Sequence, residues 1–376
     1  MKKCIVISDS FKGTLSSLEI CQIAKQSIPS LFSSCEVIAV PVADGGEGTV
    51  DCFIQAIGAT PVEVETTGPY GEPIRAVYAR KDEKAIIEMA CAAGLPMVGD
   101  RRDPSKTTTF GVGQVIRHAV EHGCREILLG LGGSATNDGG CGCAAALGVE
   151  FLDKTGTSFV PVGGNLDKIC RIDLSQAKAL LNGVTITVMC DVDNPLYGPR
   201  GAAHIFAPQK GADGEMVKLL DRQLQALDDA FQRELGLSVV QLPGAGAAGG
   251  MGGGCVAFLG ASLKPGIEAV LDMVDFDRLL DGTDLVITGE GRIDSQSIHG
   301  KVISGIARRT APREVPLVAI VGSIHDSAAE AYDLGVTAMF SIDRDATAFE
   351  AYAHRTSEYY QRTLEDVLRL IRAMER

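Results

Sequence analysis

The stretch 285–301, LVITGEGRIDSQSIHGK, alternates acids and bases between glycines. Residues 285–287 form a continuous apolar run, which is typical of a strand buried on both faces. In open α/β sheets, ligands bind beyond the carboxyl ends of the strands, and glycines let the backbone approach them closely. We therefore interpret the stretch as an active-site loop, with a solvated surface connection as the alternative. Its candidate groups are Glu290, Arg292, Asp294 and Lys301.

Two loops near the N-terminus place polar residues in the same kind of position. The apolar run 4–7 leads into SDSFKGTLSS, so Asp9 and Lys12 lie between a predicted strand and a predicted helix. The run 37–42 leads into ADGGEGT, where adjacent glycines leave Asp44 on an exposed loop. These residues are candidates for binding a metal or a phosphate.

The loop GLGGSATNDGG, at 130–140, follows a predicted strand and precedes alanines that predict a helix. Backbone amides at such a loop and at a helix N-terminus bind anions. Asp138 could bind a metal or accept a proton, and a tight structural turn is the alternative interpretation. We predict that the loop binds cofactor or substrate through Gly132, Gly133, Ser134, Thr136 and Asn137.

A further candidate loop, CDVDNPLYGPR, follows the apolar run 184–189. It places Asp191 and Asp193 directly after the predicted strand. Pro195 makes a continuing helix unfavourable, so we expect a fixed turn that holds both acids.

The glycine tract PGAGAAGGMGGG contains a G-x-G-x-x-G match at Gly244, Gly246 and Gly249. Neither the feeding strand nor the emerging helix of a dinucleotide-binding fold is evident around it. The tract is better interpreted as a phosphate-cradling loop, a hinge or a region of close backbone packing. In the first case, Gly246 and Gly249 are candidate cofactor contacts.

Together these loops indicate phosphoryl transfer. Acids at five predicted strand ends suggest a divalent cation, and Mg²⁺ typically takes one or two carboxylates along with waters and phosphate oxygens. A Walker loop would need glycine at 295 and serine or threonine at 302, and the protein-kinase and G-x-S-x-G signatures are absent. The metal-ligand candidates are Asp9, Asp44, Asp138 and Asp191.

The composition restricts the partners of the chain. It has 376 residues, a net charge of −13 and no tryptophan, which argues against nucleic-acid binding. No apolar run approaches the roughly 20 residues of a membrane span, and eleven scattered cysteines without a CxxC motif indicate a reducing compartment. We expect a cytoplasmic monomer or homodimer that binds a small anion. The cations that could attract it are Lys12, Lys106, Lys210, Arg292 and Lys301.

The element pattern predicts an α/β fold with two domains. Strands and helices alternate from residue 284 onward, which predicts a parallel sheet, and the N-terminal strand has the apolar character to join it. We therefore predict a doubly wound, mostly parallel α/β/α domain from residues 1–60 and 275–376. Residues 61–274 would form an inserted mixed α/β domain that begins with an antiparallel meander.

Six blocks of the sequence resemble the signature blocks of the bacterial type I glycerate kinase family. The resemblance implies ATP-dependent, Mg²⁺-assisted phosphorylation of D-glycerate on a two-domain fold with the site in its cleft. It further implies 2-phosphoglycerate as the product, with 3-phosphorylation as the alternative, and a place in glycolate, glyoxylate or sugar-acid breakdown. The blocks are DSFKGTLS (9–16), PVADGGEGT (41–49), GLGGSATNDGG (130–140), CDVDNPL (190–196), GAGAAGG (244–250) and TGEGRIDSQSIHGK (288–301).

The residues suggest roles in such a reaction. Asp294 is the leading candidate for the base, with Asp9, Asp44 and Asp191 as its alternatives or as metal ligands. Lys12 and Lys301 would contact phosphate, and Arg292 would pair with the substrate carboxylate or the moving phosphoryl group. Ser134, Thr136 and Asn137 would donate to substrate hydroxyls. Two other classes remain open: an NAD-dependent hydroxy-acid dehydrogenase and a non-enzymatic nucleotide-binding regulator.

Overall fold

The computed structural model describes residues 1–11, 13–42, 48–294, 301–344 and 353–375. The chain divides into two compact units. Unit 1 comprises Met1–Ala43, Gln55–Gly58 and Pro265–Arg376, and unit 2 comprises Asp44–Ile54 and Ala59–Lys264.

The strands of the described residues are, in chain order, β1 (Lys3–Ser8), β2 (Glu36–Pro41), β3 (Thr60–Thr67), β4 (Pro73–Lys81), β5 (Lys84–Glu88), β6 (Glu126–Gly130), β7 (Glu150–Leu152), β8 (Arg171–Asp173), β9 (Thr185–Met189), β10 (Ser262–Lys264), β11 (Leu285–Thr288), β12 (Arg292–Ile293), β13 (Leu317–Val321), β14 (Ser323–Ile324) and β15 (Ala338–Ser341). The helices are α1 (Ser17–Leu31), α2 (Thr49–Ile57), α3 (Ala90–Ala93), α4 (Leu95–Val98), α5 (Phe110–Glu121), α6 (Cys141–Ala146), α7 (Ser175–Leu180), α8 (Ala202–Phe206), α9 (Gly214–Leu235), α10 (Ala247–Leu259), α11 (Gly266–Met273), α12 (Phe276–Leu279), α13 (Val302–Thr310) and α14 (Thr356–Met374). Short 3-10 helices span Leu166–Lys168, Pro208–Lys210, Ala311–Arg313, Asp326–Ala331 and Ala353–Arg355.

A parallel five-stranded sheet organises unit 1, in the order β15-β13-β11-β1-β2. Alternate residues of its central strands, such as Cys4 and Val6, pack against α1 and α14 in one hydrophobic cluster. The residues between them, such as Ile5 and Ile7, are equally buried on the other face, and α13 packs against β11 and β13. Burial on both faces explains the continuous apolar runs and confirms the predicted parallel α/β fold.

A mixed six-stranded sheet organises unit 2, in the order β10-β9-β6-β5-β4-β3. Strands β3, β4 and β5 are antiparallel, as the predicted meander requires. Strand β5 also pairs in parallel with β6, and the sheet continues with β9 and β10, which pair in parallel as well. The meander is therefore one edge of a larger sheet rather than a separate layer.

Two segments differ from their predictions. The alternation predicted from residue 284 onward includes an α-helix at 326–334, and this segment instead forms the 3-10 helix Asp326–Ala331. A helix also emerges from the glycine tract, where none was evident in the sequence: α10 is interrupted by positive φ angles at Ala248, Gly249 and Gly250 and continues beyond them. Glycine has a low helix propensity, so tertiary packing overrides the local preference here.

The described part of the chain contains no helix that combines the length and the apolar character needed to span a bilayer.

Candidate functional site

The carboxyl edge of the unit 1 sheet brings Asp9 and Glu290 together. Strands β1 and β11 pair in parallel, so the residues that follow them leave the sheet side by side. Asp9 N donates to Gly289 O at 2.9 Å, and Ser8 Oγ donates to the same oxygen at 3.0 Å. A Cβ atom at Gly289 would overlap Ile320 O on the neighbouring strand, so the loop can leave β11 only as glycine.

Arg292 and Asp294 form an ion pair just beyond this edge. The short strand β12 pairs in parallel with β14, which holds the backbone of Arg292 in place. Arg292 Nε lies 3.5 Å from Asp294 Oδ2, and the Asp294 side chain is 25% exposed. An aspartate carboxylate that keeps access to solvent is a candidate for a general base.

Three further residues were predicted for this site: Lys301, Lys12 and Asp44. Lys301 is exposed and directly precedes α13. Lys12 and Asp44 lie outside the described residues. Asp9 and Glu290 therefore leave the sheet side by side, Arg292 and Asp294 pair on the segment that follows, and Lys301 lies at the start of the next helix.

The donor set of this edge fits Mg²⁺. Among the described residues, no three histidine, cysteine, aspartate or glutamate side chains cluster as a complete protein metal cage. Mg²⁺ does not need one, because it usually takes one or two carboxylates and fills its remaining positions with water and phosphate oxygens. Asp9 and Asp294 are the carboxylates that could supply these ligands.

The second candidate region is the edge of the unit 2 sheet. Glu88, Gly130 and Met189 are aligned in register at the ends of β5, β6 and β9, so the loops after these strands begin at one edge. Glu88 is 8% exposed, and its Oε1 accepts a hydrogen bond from Val50 N at the start of α2. Two of the predicted site loops, those after β6 and β9, therefore begin at this edge, and α2 contacts it through Glu88.

Hydrogen bonds hold the backbone of the loop at 131–140, which follows β6. Leu95 N donates to Gly133 O at 2.7 Å. Ala135 N donates to Ala93 O at 2.8 Å, and Thr107 Oγ1 donates to Ala135 O at 2.8 Å. The loop is thus fixed from both sides, and its polar side chains have defined positions.

Asp138 anchors the far end of this loop. It is fully buried, and its Oδ2 accepts from Thr109 N, Thr109 Oγ1 and Gly142 N, while Oδ1 accepts from Gly140 N. Burial raises the pKa of Asp138, and these hydrogen bonds oppose the rise. The amides at the start of α6, where we predicted an anion site, therefore bind the protein's own carboxylate. This geometry favours an anchoring role for Asp138 over the predicted metal-binding role.

Thr136 and Asn137 carry buried polar atoms that have no hydrogen-bond partner within the described part of the chain. Both residues are 0% exposed, and Thr136 Oγ1, Asn137 Oδ1 and Asn137 Nδ2 make no hydrogen bond to the described residues. An unsatisfied buried polar group costs roughly 1–3 kcal/mol, so such groups usually have a water or a ligand as partner. These side chains are therefore well placed to receive polar atoms from outside the chain.

Lys210, which the sequence offered only as one of five cations that could attract an anion, is buried against the 131–140 loop. It ends the 3-10 helix Pro208–Lys210 and is 1% exposed. Its Nζ donates to Ser134 Oγ and to Thr136 O, both at 2.7 Å. Burial lowers the pKa of Lys210 to about 7, while the charge of Asp138 acts in the opposite direction. In sequence it was only one of several cations near turns, because no local pattern marks a lysine that folds inward.

The loop after β9 exposes Asp191 and Asp193. Arg200 Nη2 lies 3.1 Å from Asp193 Oδ2, and Asn194 Nδ2 donates to Arg200 O at 2.8 Å. The ion pair joins two largely exposed side chains, so it contributes little stability. Asp191 follows the strand directly and stays a candidate for function.

The glycine tract packs closely against the 131–140 loop. A Cβ atom at Gly249 would overlap Thr136 O, and one at Gly246 would overlap Pro195 O. Gly249 also has a φ of +70°, which disfavours other residues. Close backbone packing, one of the three interpretations of the tract, accounts for both glycines without the predicted cofactor contact.

The chain is similar to known proteins of one family. The model of the Glycerate kinase family matches residues 4–372. The chain is 43% identical to a glycerate kinase of Bacillus subtilis over 368 residues, which covers 97% of this chain and 96% of the relative. It is also 43% identical to a glycerate 2-kinase of Escherichia coli over 343 residues, 90% of each chain.

A solved structure supports the same assignment. The crystal structure assigned as glycerate kinase 2 from Salmonella typhimurium LT2 has a TM-score of 0.86 and 40% sequence identity, and the match covers 99% of both chains. The similarity extends over both units and includes all six signature blocks within the matched span of the family model. The predicted family is confirmed: the chain belongs to the glycerate kinase family.

Proposed function

We propose that the protein transfers the γ-phosphoryl group of ATP to D-glycerate in the presence of Mg²⁺ and forms 2-phosphoglycerate and ADP. The observation that carries the proposal is that Asp9 and Glu290 follow adjacent strands at the carboxyl edge of the unit 1 sheet, with the Arg292–Asp294 ion pair on the segment that comes next. A base, a cation and carboxylates for a metal are the groups that phosphoryl transfer needs.

In this proposal Asp294 accepts the proton of the substrate hydroxyl as that oxygen attacks the phosphorus. Arg292, held beside it at 3.5 Å, offsets negative charge on the phosphoryl group or on the substrate carboxylate. Lys301 and Lys12 contact phosphate oxygens, and Glu290 contributes to nucleotide binding. Asp9 would hold Mg²⁺, whose positive charge would offset the negative charge of the phosphate oxygens.

The loop at 131–140 is proposed to recognise the organic acid. Thr136 and Asn137 present buried polar atoms that have no hydrogen-bond partner among the described residues, and Ser134 lies on the same loop. These groups can bind the hydroxyls of a small polyol acid. The name of the Escherichia coli relative supports phosphorylation at C2, and transfer to the C3 hydroxyl is the alternative.

We further propose that the two units are the folding domains of the protein, with 1–60 and 275–376 as the first domain and 61–274 as the second. The protein would act in the cytoplasm, as a monomer or homodimer, in glycolate, glyoxylate or sugar-acid breakdown. Neither nucleic acid nor membrane is a proposed partner, since the net charge is −13.

The test is ADP formation from ATP, Mg²⁺ and D-glycerate, followed by phosphorus NMR of the product. We expect a phosphate resonance coupled to the single C2 proton; coupling to the two C3 protons would identify a 3-kinase. A nicotinamide-dependent absorbance change with glycerate would instead indicate a dehydrogenase. ATP binding without ADP formation from any small organic acid would favour a regulator.

A further inference from the structure

Lys210 determines the orientation of the Ser134 hydroxyl. A lysine ammonium has three N–H donors and no acceptor, so Ser134 Oγ can only accept from Lys210 Nζ at 2.7 Å. The hydroxyl hydrogen of Ser134 must then point away from Lys210. In the described residues this O–H donates to no acceptor, and Ser134 keeps 7% of its surface exposed. A donor is therefore left at the loop surface.

We propose that Lys210 is a positioning residue that holds the Ser134 hydroxyl as an outward-pointing donor for an anionic oxygen of the organic-acid substrate. This inference rests on the proposed function in one respect, since it takes the 131–140 loop to bind that acid. A hydrogen bond from a charged donor polarises its acceptor, so Ser134 becomes a stronger donor in turn.

The surroundings of Lys210 keep this arrangement in place. Its second hydrogen bond goes to Thr136 O, so the ammonium bridges two residues of one loop. Among the charged groups on neighbouring elements, Asp138 is the one whose field acts on Lys210. Arg102 Nη1 donates to Gln209 O, and the other nearby pair, His204 with Asp221, links α8 to α9 at 3.8 Å. Burial of the ammonium among these partners leaves it no alternative position in solvent.

The test is a double-mutant cycle on the purified enzyme, with the variants Lys210→Met, Ser134→Ala and the double variant. A hydrogen bond to a charged group contributes about 1.5–3 kcal/mol, so each single variant should raise KM for D-glycerate roughly 10–100-fold. The KM for ATP and kcat should stay within a few-fold of wild type. Because Lys210 acts through Ser134, the double variant should be no worse than Ser134→Ala.

Lys218→Met is the matched control, since the Lys218 side chain is 61% exposed and its partner Glu215 lies outside the proposed machinery. It should leave KM for D-glycerate unchanged. Effects of Lys210→Met and Ser134→Ala that multiply in the double variant, or an unchanged KM in Lys210→Met, would overturn the inference.

A second measurement needs no Lys210 variant, in case that variant does not fold. Above about pH 7 the neutral amine can accept the Ser134 proton, and the hydroxyl then turns inward. The KM of the wild type for D-glycerate should rise through this pH, and that of Ser134→Ala should not. Parallel pH profiles would contradict the inference.

The outcomes separate this inference from the proposed function. If the wild type phosphorylates D-glycerate but the Ser134 and Lys210 variants keep its KM, only the inference fails. If the wild type shows no turnover, calorimetric binding of D-glycerate to wild type and Ser134→Ala makes the same comparison. No binding to either protein would overturn both.

Discussion

Asp294 of unit 1 and Asp138 of unit 2 both lie just beyond a buried parallel strand, but their surroundings are opposite. Asp294 is a quarter exposed and faces one guanidinium. Asp138 is fully buried, and four donors from the protein surround it. A carboxylate with every oxygen satisfied holds a loop, whereas one that keeps solvent access can exchange a proton. The position of an acid at a strand end therefore does not determine which of the two tasks it performs.

The largest expected effect on activity comes from Asp294→Asn. Loss of a general base usually lowers turnover roughly 10²–10⁴-fold, and the amide cannot accept the substrate proton. The free energy of unfolding should change by less than about 1 kcal/mol, because the ion pair with Arg292 is partly exposed. Steady-state kinetics and urea denaturation measure the two effects. A turnover rate within a few-fold of wild type would show that Asp294 is not the base.

Asp138→Ala should show the reverse pattern. It leaves the donors of Thr109, Gly140 and Gly142 buried without an acceptor, so we expect a loss of roughly 3–5 kcal/mol in stability. Asp138→Asn keeps the shape and one acceptor oxygen and should be milder. Urea denaturation of both variants checks the order. Wild-type stability in Asp138→Ala would remove the distinction between the two acids.

The buried lysine makes a prediction about stability and pH. The pKa of Lys210 falls from 10.5 to about 7 on folding, so between these values the unfolded chain binds a proton that the folded chain does not. Stability contributed by this residue therefore rises as the pH rises through that window. Lys210→Met should lack this rise, so the wild type should gain stability relative to the variant between pH 6 and pH 9. If wild type and Lys210→Met show equal pH dependence in denaturation experiments, folding does not lower the pKa of Lys210.

The smallest effect should come from Asp193→Ala in the loop after β9. Its ion pair with Arg200 is exposed on both sides, so stability should change by less than about 1 kcal/mol. We also expect kcat within a few-fold of wild type. A large loss of activity would mean that Asp193 takes part in the reaction, and exposed acids of unit 2 would then no longer differ from Asp294 in function. Asp191→Ala is the informative companion, because that residue stays a functional candidate.

The elements that position both regions could be predicted because strong local patterns specify them. The apolar runs of β1, β11 and β13 are long enough to indicate strands buried on both faces, and their order in the chain indicates parallel pairing. The loops after those strands then had to share one edge of the sheet. This reasoning predicted the shared edge at which Asp9 and Glu290 follow β1 and β11, and the roles of these residues and of Asp294 stay predictions.

Other features depend on contacts between distant segments, which leave no local pattern. The helix α10 forms from a glycine tract because backbone packs against backbone, and propensity alone argues against it. Asp138 and Lys210 acquire their roles from Thr109 and Ser134, which lie 29 and 76 residues away along the chain. Only the folded structure shows that Asp138 anchors the 131–140 loop and that Lys210 donates to it.

The glycines of α10 have a consequence for tolerance to substitution. A methyl group at Gly249 or Gly254 would push against Thr136 O or Gly139 O, and thus against the loop that carries Ser134. A saturation library should therefore be depleted at these positions as strongly as at reactive residues, for reasons of space alone. Loss of function on substitution in this tract would therefore reflect the short distance between two backbone segments, and it would not be evidence that these glycines contact a nucleotide.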